Sequence, residues 1–121
     1  MTMEAIAKAK FARYGARKVN SVLGQIRGKS VKSAELLLPL IPRKAQELVA
    51  KTLKSAAANL QVKAGKKLDP AGMWVKECWA NQGPMSHMKR VLPAPQGRAY
   101  TFKRKVCHLT MVVADEPSKR N

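Results

Sequence analysis

Four side chains in this sequence could bind a metal ion or act as a nucleophile and its base: Cys78, His87, Cys107 and His108. Zinc sites usually take their ligands from pairs spaced as C-x₂₋₄-C and H-x₃₋₅-H, and neither spacing occurs here. Adjacent residues of a strand point to opposite faces, so Cys107 and His108 do not form a nucleophile and base pair. We therefore expect reduced, structural thiols and no metal site.

Other catalytic arrangements are equally weak. The seven Asp and Glu residues are scattered and suggest no carboxylate pair for acid–base work. No glycine pattern of a phosphate-binding or dinucleotide-binding loop is present. We expect a protein that is not an enzyme and needs no cofactor. A chain of 121 residues, 45% of them hydrophobic, predicts a single folded domain over residues 1–121.

Charge is the strongest signal in the sequence. Lys and Arg number 24 against 7 Asp and Glu, so the formal net charge is +17. A compact body with this charge repels itself and is stabilised by a polyanion, for which nucleic acid is the first candidate and an anionic membrane surface the second. No apolar run of about 18 residues is present. The N-terminal segment lacks the apolar stretch of a secretory signal, and two cysteines make no disulfide framework, so we expect a protein of the cytosol or of an organelle.

Basic residues surround the first predicted helix. Its apolar stripe has the spacing i, i+3, i+4, i+7, at Val19, Val22, Leu23 and Ile26. Arg17 and Lys18 lie near the start of this helix, where positive charge opposes the helix dipole and so does not serve helix stability. Phosphate contacts are therefore expected from a set of basic residues at both ends of the helix, namely Arg13, Arg17, Lys18, Arg27, Lys29 and Lys32.

The elements that would position these residues follow from periodicity. Residues 4–13 alternate small or aromatic residues with lysines, which predicts a half-buried strand with Phe11 on its inner side. Gly28 suits a left-handed cap at the end of the first helix, and Ser30 suits the N-cap of a second. A long third helix is predicted over 43–64, with Pro42 near its first turn.

Branched and aromatic residues then predict strands over 73–80 and 102–114. The order β-α-α-α-β-β favours an α+β fold with the helices on one face of a small antiparallel sheet. The aromatic residues fall on strand positions where core packing explains them: Phe11, Trp74, Trp79 and Phe102. We therefore expect no stacking platform for bases, and binding chiefly through the backbone and shape of the nucleic acid.

Residues 83–101 between these strands are predicted to continue them outward as a long hairpin. Pro95 and Gly97 provide the turn, and the ribbon would extend on the order of 30 Å at ~3.3 Å per residue. A two-stranded ribbon of that length is marginal alone in water, so a partner must order it. No acidic residue lies between Cys78 and Ala114, and this indicates an anionic partner.

Seven segments together resemble one family. They are Ala16-Arg-Lys-Val19, Ile26-Arg-Gly-Lys-Ser30, the stretch from Ala50 to Asn59, Gly83-Pro84, the stretch from Met88 to Pro93, Gly97-Arg-Ala99 with Lys103-Arg-Lys, and the stretch from Cys107 to Val113. In this order they resemble the large-subunit ribosomal protein twenty-two family, in its compact bacterial form. The resemblance covers the chain from about Ala5 to Ala114.

The resemblance implies an α+β body of three helices packed on a three-stranded antiparallel sheet, with a long protruding hairpin. It implies a structural protein of the large ribosomal subunit that binds its ribosomal RNA, assists assembly and lies beside other proteins near the exit of the peptide tunnel. The expected contacts with ribosomal RNA are Lys8, Lys10, Arg13, Arg17, Lys18, Arg27, Lys29, Lys32, Lys103, Arg104 and Lys105.

In this family the hairpin tip lines the tunnel and meets the nascent peptide. The corresponding positions here are Met88, Lys89, Arg90, Pro93, Gln96, Gly97 and Arg98. A small basic DNA-architectural protein is the alternative that composition leaves open.

Overall fold

The computed structural model describes residues 3–83, 89–93, 99–103 and 106–115, and describes side chains within 3–83 and 106–115. The strands and helices are β1 (Glu4–Ala12), α1 (Ala16–Ile26), α2 (Val31–Leu37), α3 (Ala45–Ala64), β2 (Trp74–Gln82), β3 (Lys89–Pro93), β4 (Ala99–Lys103) and β5 (Cys107–Ala114). Short 3₁₀ turns follow α2 and precede β2.

The main sheet has three antiparallel strands in the order β1-β5-β2. At one end of the sheet Ala114 of β5 pairs with Glu4 on one side and Trp74 on the other. At the opposite end Cys107 pairs with Ala12 and Gln82. Three helices accompany this sheet, so the predicted α+β class is confirmed.

The helices cover one face of the sheet because their apolar stripes require burial. All four residues of the predicted α1 stripe are buried. The Ser30 hydroxyl accepts a hydrogen bond from the backbone N–H of Ser33 at 3.2 Å, which confirms the predicted cap of α2. Gly28 takes a left-handed φ of 81°, as predicted. Ala56 and Ala57 of α3 are buried, and α3 packs on β1 and β5.

Both edges of the sheet are closed by side chains from helices. The Asn20 amide of α1 donates to the carbonyl of Ala80 at 3.2 Å and accepts from its N–H at 3.1 Å. From α3, Asn59 donates to the carbonyl of Ile6 at 3.1 Å. Strand edges with unpaired backbone groups invite pairing with other chains, so these contacts protect the sheet.

Three predicted boundaries are wrong. Helix α3 begins at Ala45, so Pro42 precedes the helix instead of lying in its first turn. The strand predicted over 102–114 is divided between β4 and β5, and Val106 between them is outside any strand. The strand predicted over 73–80 continues to Gln82. These differences shift the ends of elements and leave their order unchanged.

Strands β3 and β4 pair with each other in a separate two-stranded sheet. Lys89 pairs with Lys103 and Pro93 with Ala99, so the chain reverses between Pro93 and Ala99 as the predicted hairpin requires. Below this hairpin, the Gly83 N–H donates to the carbonyl of Val106 at 2.7 Å.

Candidate nucleic-acid interface

The candidate interface is formed by the cations outside the hairpin. All eight of those predicted from the sequence are exposed: Lys8, Lys10, Arg13, Arg17, Lys18, Arg27, Lys29 and Lys32. The only ion pair among the described residues joins Lys76 to Glu4. This partner raises the pKa of Lys76 above its usual range. None of the eight interface cations is neutralised by a described carboxylate.

The fold places Arg13, Arg17 and Lys18 in one group at the start of α1, and Lys29 and Lys32 in a second group after its other end. Lys8 and Lys10 belong to neither group, because they lie further back on β1, which leads through Arg13 into α1. Lys29 and Lys32 follow the other end of the helix. The 11 residues of α1 separate the groups by about 16 Å. An anion that contacts both groups must therefore be extended, as a nucleic-acid backbone is.

The start of α1 has no stabilising group of its own. No acidic residue lies in its first turn, and the N-cap residue Gly15 makes no side-chain capping bond. Arg17 and Lys18 occupy this turn, where the helix dipole is positive. Their placement therefore costs helix stability, and an external anion would offset this cost.

Arg27 differs from the other cations because it takes part in the fold. Its guanidinium Nη2 donates a hydrogen bond of 2.8 Å to the carbonyl of Cys78, on the outer edge of β2. The ammonium group of Lys29, only two residues away, makes no hydrogen bond or ion pair with a described residue. The two cations that looked equivalent in the sequence therefore differ in the structure, since only Arg27 bonds the edge of β2.

Two aromatic residues were expected in the core and are instead exposed. Phe11 is 60% exposed and Trp79 is 39% exposed, while Trp74 is half-buried. The inward and outward alternation of β1 is interrupted at Phe11 by a β-bulge between Ala9 and Ala12. The periodicity of the sequence does not indicate this bulge. Trp79 had a readable signal, since the neighbouring residues Cys78 and Ala80 face the core and an intervening strand residue must face outward.

The two thiols behave as predicted for structural cysteines. Cys78 and Cys107 are both free and buried. Burial raises the pKa of each thiol above its ordinary value, although Arg27 partly opposes this for Cys78. Within residues 3–83 and the other described ranges, no cluster of His, Cys, Asp and Glu could hold a metal ion.

The predicted hairpin residues are described only in part. Lys89, Arg90 and Pro93 lie on β3, and Lys103 ends β4. The remaining predictions lie outside the described residues, namely Met88, Gln96, Gly97, Arg98, Arg104 and Lys105. Phe102 is in β4, and its side chain is likewise outside the described set.

The α+β body and its unpaired cations define a small basic protein suited to a polyanion. In the described part of the chain, no helix has both the length and the apolar character to cross a membrane. A family model described as Ribosomal protein L22p/L17e matches residues 7–114. The chain belongs to this family, which is structural and not enzymatic.

Individual relatives agree over almost the whole chain. The large ribosomal subunit protein uL22 of Acaryochloris marina is 45% identical over 114 residues, covering 94% of this chain and 92% of that protein. The uL22 of Endomicrobium trichonymphae is 45% identical and covers 93% of each chain. The uL22 of Nostoc punctiforme is 42% identical, and the match covers 98% of this chain and 97% of that protein. None of these similarities supports the DNA-architectural alternative.

Proposed function

We propose that this chain is a structural component of the large ribosomal subunit, in the cytoplasm, which binds large-subunit ribosomal RNA and assists its assembly. Family membership supports the ribosomal role. The observation that carries RNA binding is the set of seven exposed cations whose side chains make no bond to a described residue: Lys8, Lys10, Arg13, Arg17, Lys18, Lys29 and Lys32. Phosphate groups would neutralise them and release counterions.

The body is proposed to contact RNA at two places, one at each end of α1. The group of Arg13, Arg17 and Lys18 would neutralise phosphates beside the start of the helix. The group of Lys29 and Lys32 would do so about 16 Å away. Contacts this far apart would hold separate segments of a folded RNA against one rigid body, and this is how the protein would assist assembly.

The hairpin is proposed to enter the ribosomal RNA and to place its tip in the wall of the peptide tunnel, among neighbouring proteins of the tunnel exit. Support comes from the antiparallel pairing of β3 with β4 and from the basic residues Lys89, Arg90 and Lys103 on these strands. Arg104 and Lys105 would add RNA contacts. Met88, Gln96, Gly97 and Arg98 would complete the tunnel portion and meet the nascent peptide.

RNA binding is tested by titrating the full chain with a refolded transcript of bacterial large-subunit RNA and with duplex DNA, across a salt series. We expect tighter binding to the folded RNA than to duplex DNA. The affinity should fall as salt rises, with a slope of log affinity against log salt that corresponds to several phosphate contacts. Cosedimentation of a tagged chain with large subunits is the matching assay in cells. Equal affinity for RNA and DNA at every salt concentration would reject the proposal.

The tunnel portion needs a separate experiment. A photo-crosslinking residue replaces Gln96 in ribosomes that carry a stalled nascent peptide, and the same residue replaces Val62, exposed on α3, as the matched control. A crosslink to the peptide from position 96 and none from position 62 is expected. Crosslinking of position 96 to RNA or protein alone would reject the tunnel role and leave RNA binding by the body intact.

A further inference from the structure

The backbone of β1 is strained at Phe11. Its φ of 58° lies in the left-handed region, which costs free energy for any residue except glycine. Ala9 pairs with Leu109 and Ala12 with Cys107, so Lys10 and Phe11 together oppose His108 in a β-bulge. The consequence of this strain is that an aromatic ring faces the solvent at the end of the sheet that leads into the hairpin.

The strained residue is held in one arrangement by His108. The Phe11 N–H donates to Nδ1 of the imidazole at 3.0 Å, and the two rings meet edge to face with centroids 4.9 Å apart. On its other side the imidazole lies against Gly83, where a Cβ atom would come within 3.3 Å of it. Phe11 is thus fixed by its neighbours while 60% of it stays exposed.

A second exposed ring lies on the same face of the sheet. Trp79 pairs with Thr110, and His108 lies two residues along β5, so Trp79 and His108 are diagonal neighbours. Lys8 pairs with Thr110 from the other strand, and it completes a row across the sheet. The outer face therefore presents two aromatic side chains separated by one histidine.

Charge on this face is divided along the strands. Lys8, Lys10 and Arg13 are exposed around the aromatic residues. The acidic residues of the described sheet are Glu4, which pairs with Lys76 at the other end, and Glu77, which lies opposite Val112 and two residues before Trp79 on β2. The charged residues within three positions of Phe11 are all basic, whereas Trp79 also has Glu77 as a neighbour along β2. The cations around Phe11 complement an anion that also carries flat rings.

We propose that this aromatic–basic patch stacks unpaired bases of large-subunit ribosomal RNA; it comprises Lys8, Lys10, Phe11, Arg13, Trp79 and His108. The inference rests on the proposed function, and it assigns a mode of RNA recognition to the outer face of the main sheet. Unpaired RNA bases stack on aromatic side chains while Lys and Arg neutralise the adjoining phosphates. A protein partner with a purely apolar surface would have to remove water from three unpaired cations of the patch. The charge of the patch therefore favours a nucleic acid over such a protein partner.

The test separates the rings from the charges with variants of the full chain and the refolded RNA transcript as probe. Phe11→Gly removes the ring and relieves the left-handed strain, so its thermal midpoint should not fall. Trp79→Ala removes the second ring. Each is expected to weaken binding on the order of tenfold without changing the salt slope. Lys10→Gln is expected to lower that slope by about 0.7–0.9. Val62→Ala, an exposed apolar control on α3, should bind as wild type.

Fluorescence provides a second readout that reports stacking directly. The chain has two tryptophans, so Trp74→Phe leaves Trp79 as the only one. Its emission should be quenched when the RNA binds. Wild-type affinity in both ring variants, or no quenching of Trp79, would overturn base stacking even if Lys10→Gln weakens binding, and RNA binding itself would stand. Failure of the wild-type chain to bind the transcript would instead overturn the proposed function and this inference with it.

Discussion

Arg27 and Lys29 offer a matched pair of cations for separating a contribution to folding from a contribution to RNA binding. Both were predicted from the sequence to contact phosphate. In the structure the Arg27 guanidinium bonds the carbonyl of Cys78 at 2.8 Å, while the Lys29 ammonium group bonds no described residue. We therefore expect Arg27→Ala to act on stability and Lys29→Gln to act on the salt dependence of RNA binding.

The expected loss for Arg27→Ala follows from the bond that it removes. A hydrogen bond to a charged group contributes about 1.5–3 kcal/mol, and the exposure of Arg27 places it at the lower end, near about 1.5 kcal/mol. In a chain of 121 residues this lowers the thermal midpoint by about 4–9 °C. Arg27→Lys keeps the charge but not the planar fork, so it should restore only part of the stability.

The expected loss for Lys29→Gln follows from counterion release. One phosphate contact contributes about 0.7–0.9 to the slope of log affinity against log salt. Over a fourfold rise in salt, wild-type affinity should therefore fall about threefold more than that of the variant. The thermal midpoint of Lys29→Gln should match that of wild type, because no described bond is lost.

The assays are calorimetric unfolding of the free chains and RNA titration at several salt concentrations. An Arg27→Ala variant with an unchanged thermal midpoint and a salt slope lowered as much as in Lys29→Gln would contradict both expectations. That result would show that the guanidinium is available to RNA and that the edge of β2 does not depend on it.

Close packing at Gly83, burial of the two thiols and the separate pairing of β3 with β4 each have a measurable consequence. Gly83→Ala should lower the unfolding free energy by about 1 kcal/mol, because its Cβ would lie 3.1 Å from Val106, which is buried, and 3.3 Å from the His108 imidazole, which the Phe11 N–H holds in place. Gly24→Ala in α1 meets nothing within 4 Å and should raise the unfolding free energy by about 0.5–1 kcal/mol. Reversed signs in urea denaturation would contradict this. Burial raises the pKa of Cys78 and Cys107, so less thiolate forms at pH 8 in the native chain than in the unfolded one. A thiol reagent should therefore label the native chain far more slowly than the unfolded chain. Labelling of both at equal rates would refute this prediction. Amides of β3 and β4 in the free protein should exchange faster than those of β5, and equal protection by NMR would show that the hairpin is stable without a partner.

The fold was largely predictable because most of its elements obey simple periodicities. The α1 stripe from Val19 to Ile26 is buried as its spacing predicted, and Ser30 caps α2. The start of α3 was misplaced because Pro42 fits a first helical turn, yet the helix has no side-chain cap and begins at Ala45. Local sequence allowed both starting points.

The candidate site was predictable in charge and not in geometry. Exposure of Lys8, Lys10 and Arg13 followed from composition, since unpaired cations seldom lie inside a protein. The role of Arg27 depends on a strand about fifty residues away in sequence, which no local pattern specifies. The exposure of Phe11 depends on a bulge, and one inserted residue reverses the side on which each later residue of a strand lies.

The arrangement of helix side chains explains why the outer face of the sheet is the surface left for binding. Asn20 and Arg27 bond the edge of β2, and Asn59 and Lys63 bond the edge of β1. The helices themselves cover the inner face. A partner therefore cannot add a strand at either edge of the main sheet without displacing these contacts, and it must meet the sheet through side chains. On the outer face these side chains include Lys8, and they suit a ligand that is both flat and negatively charged.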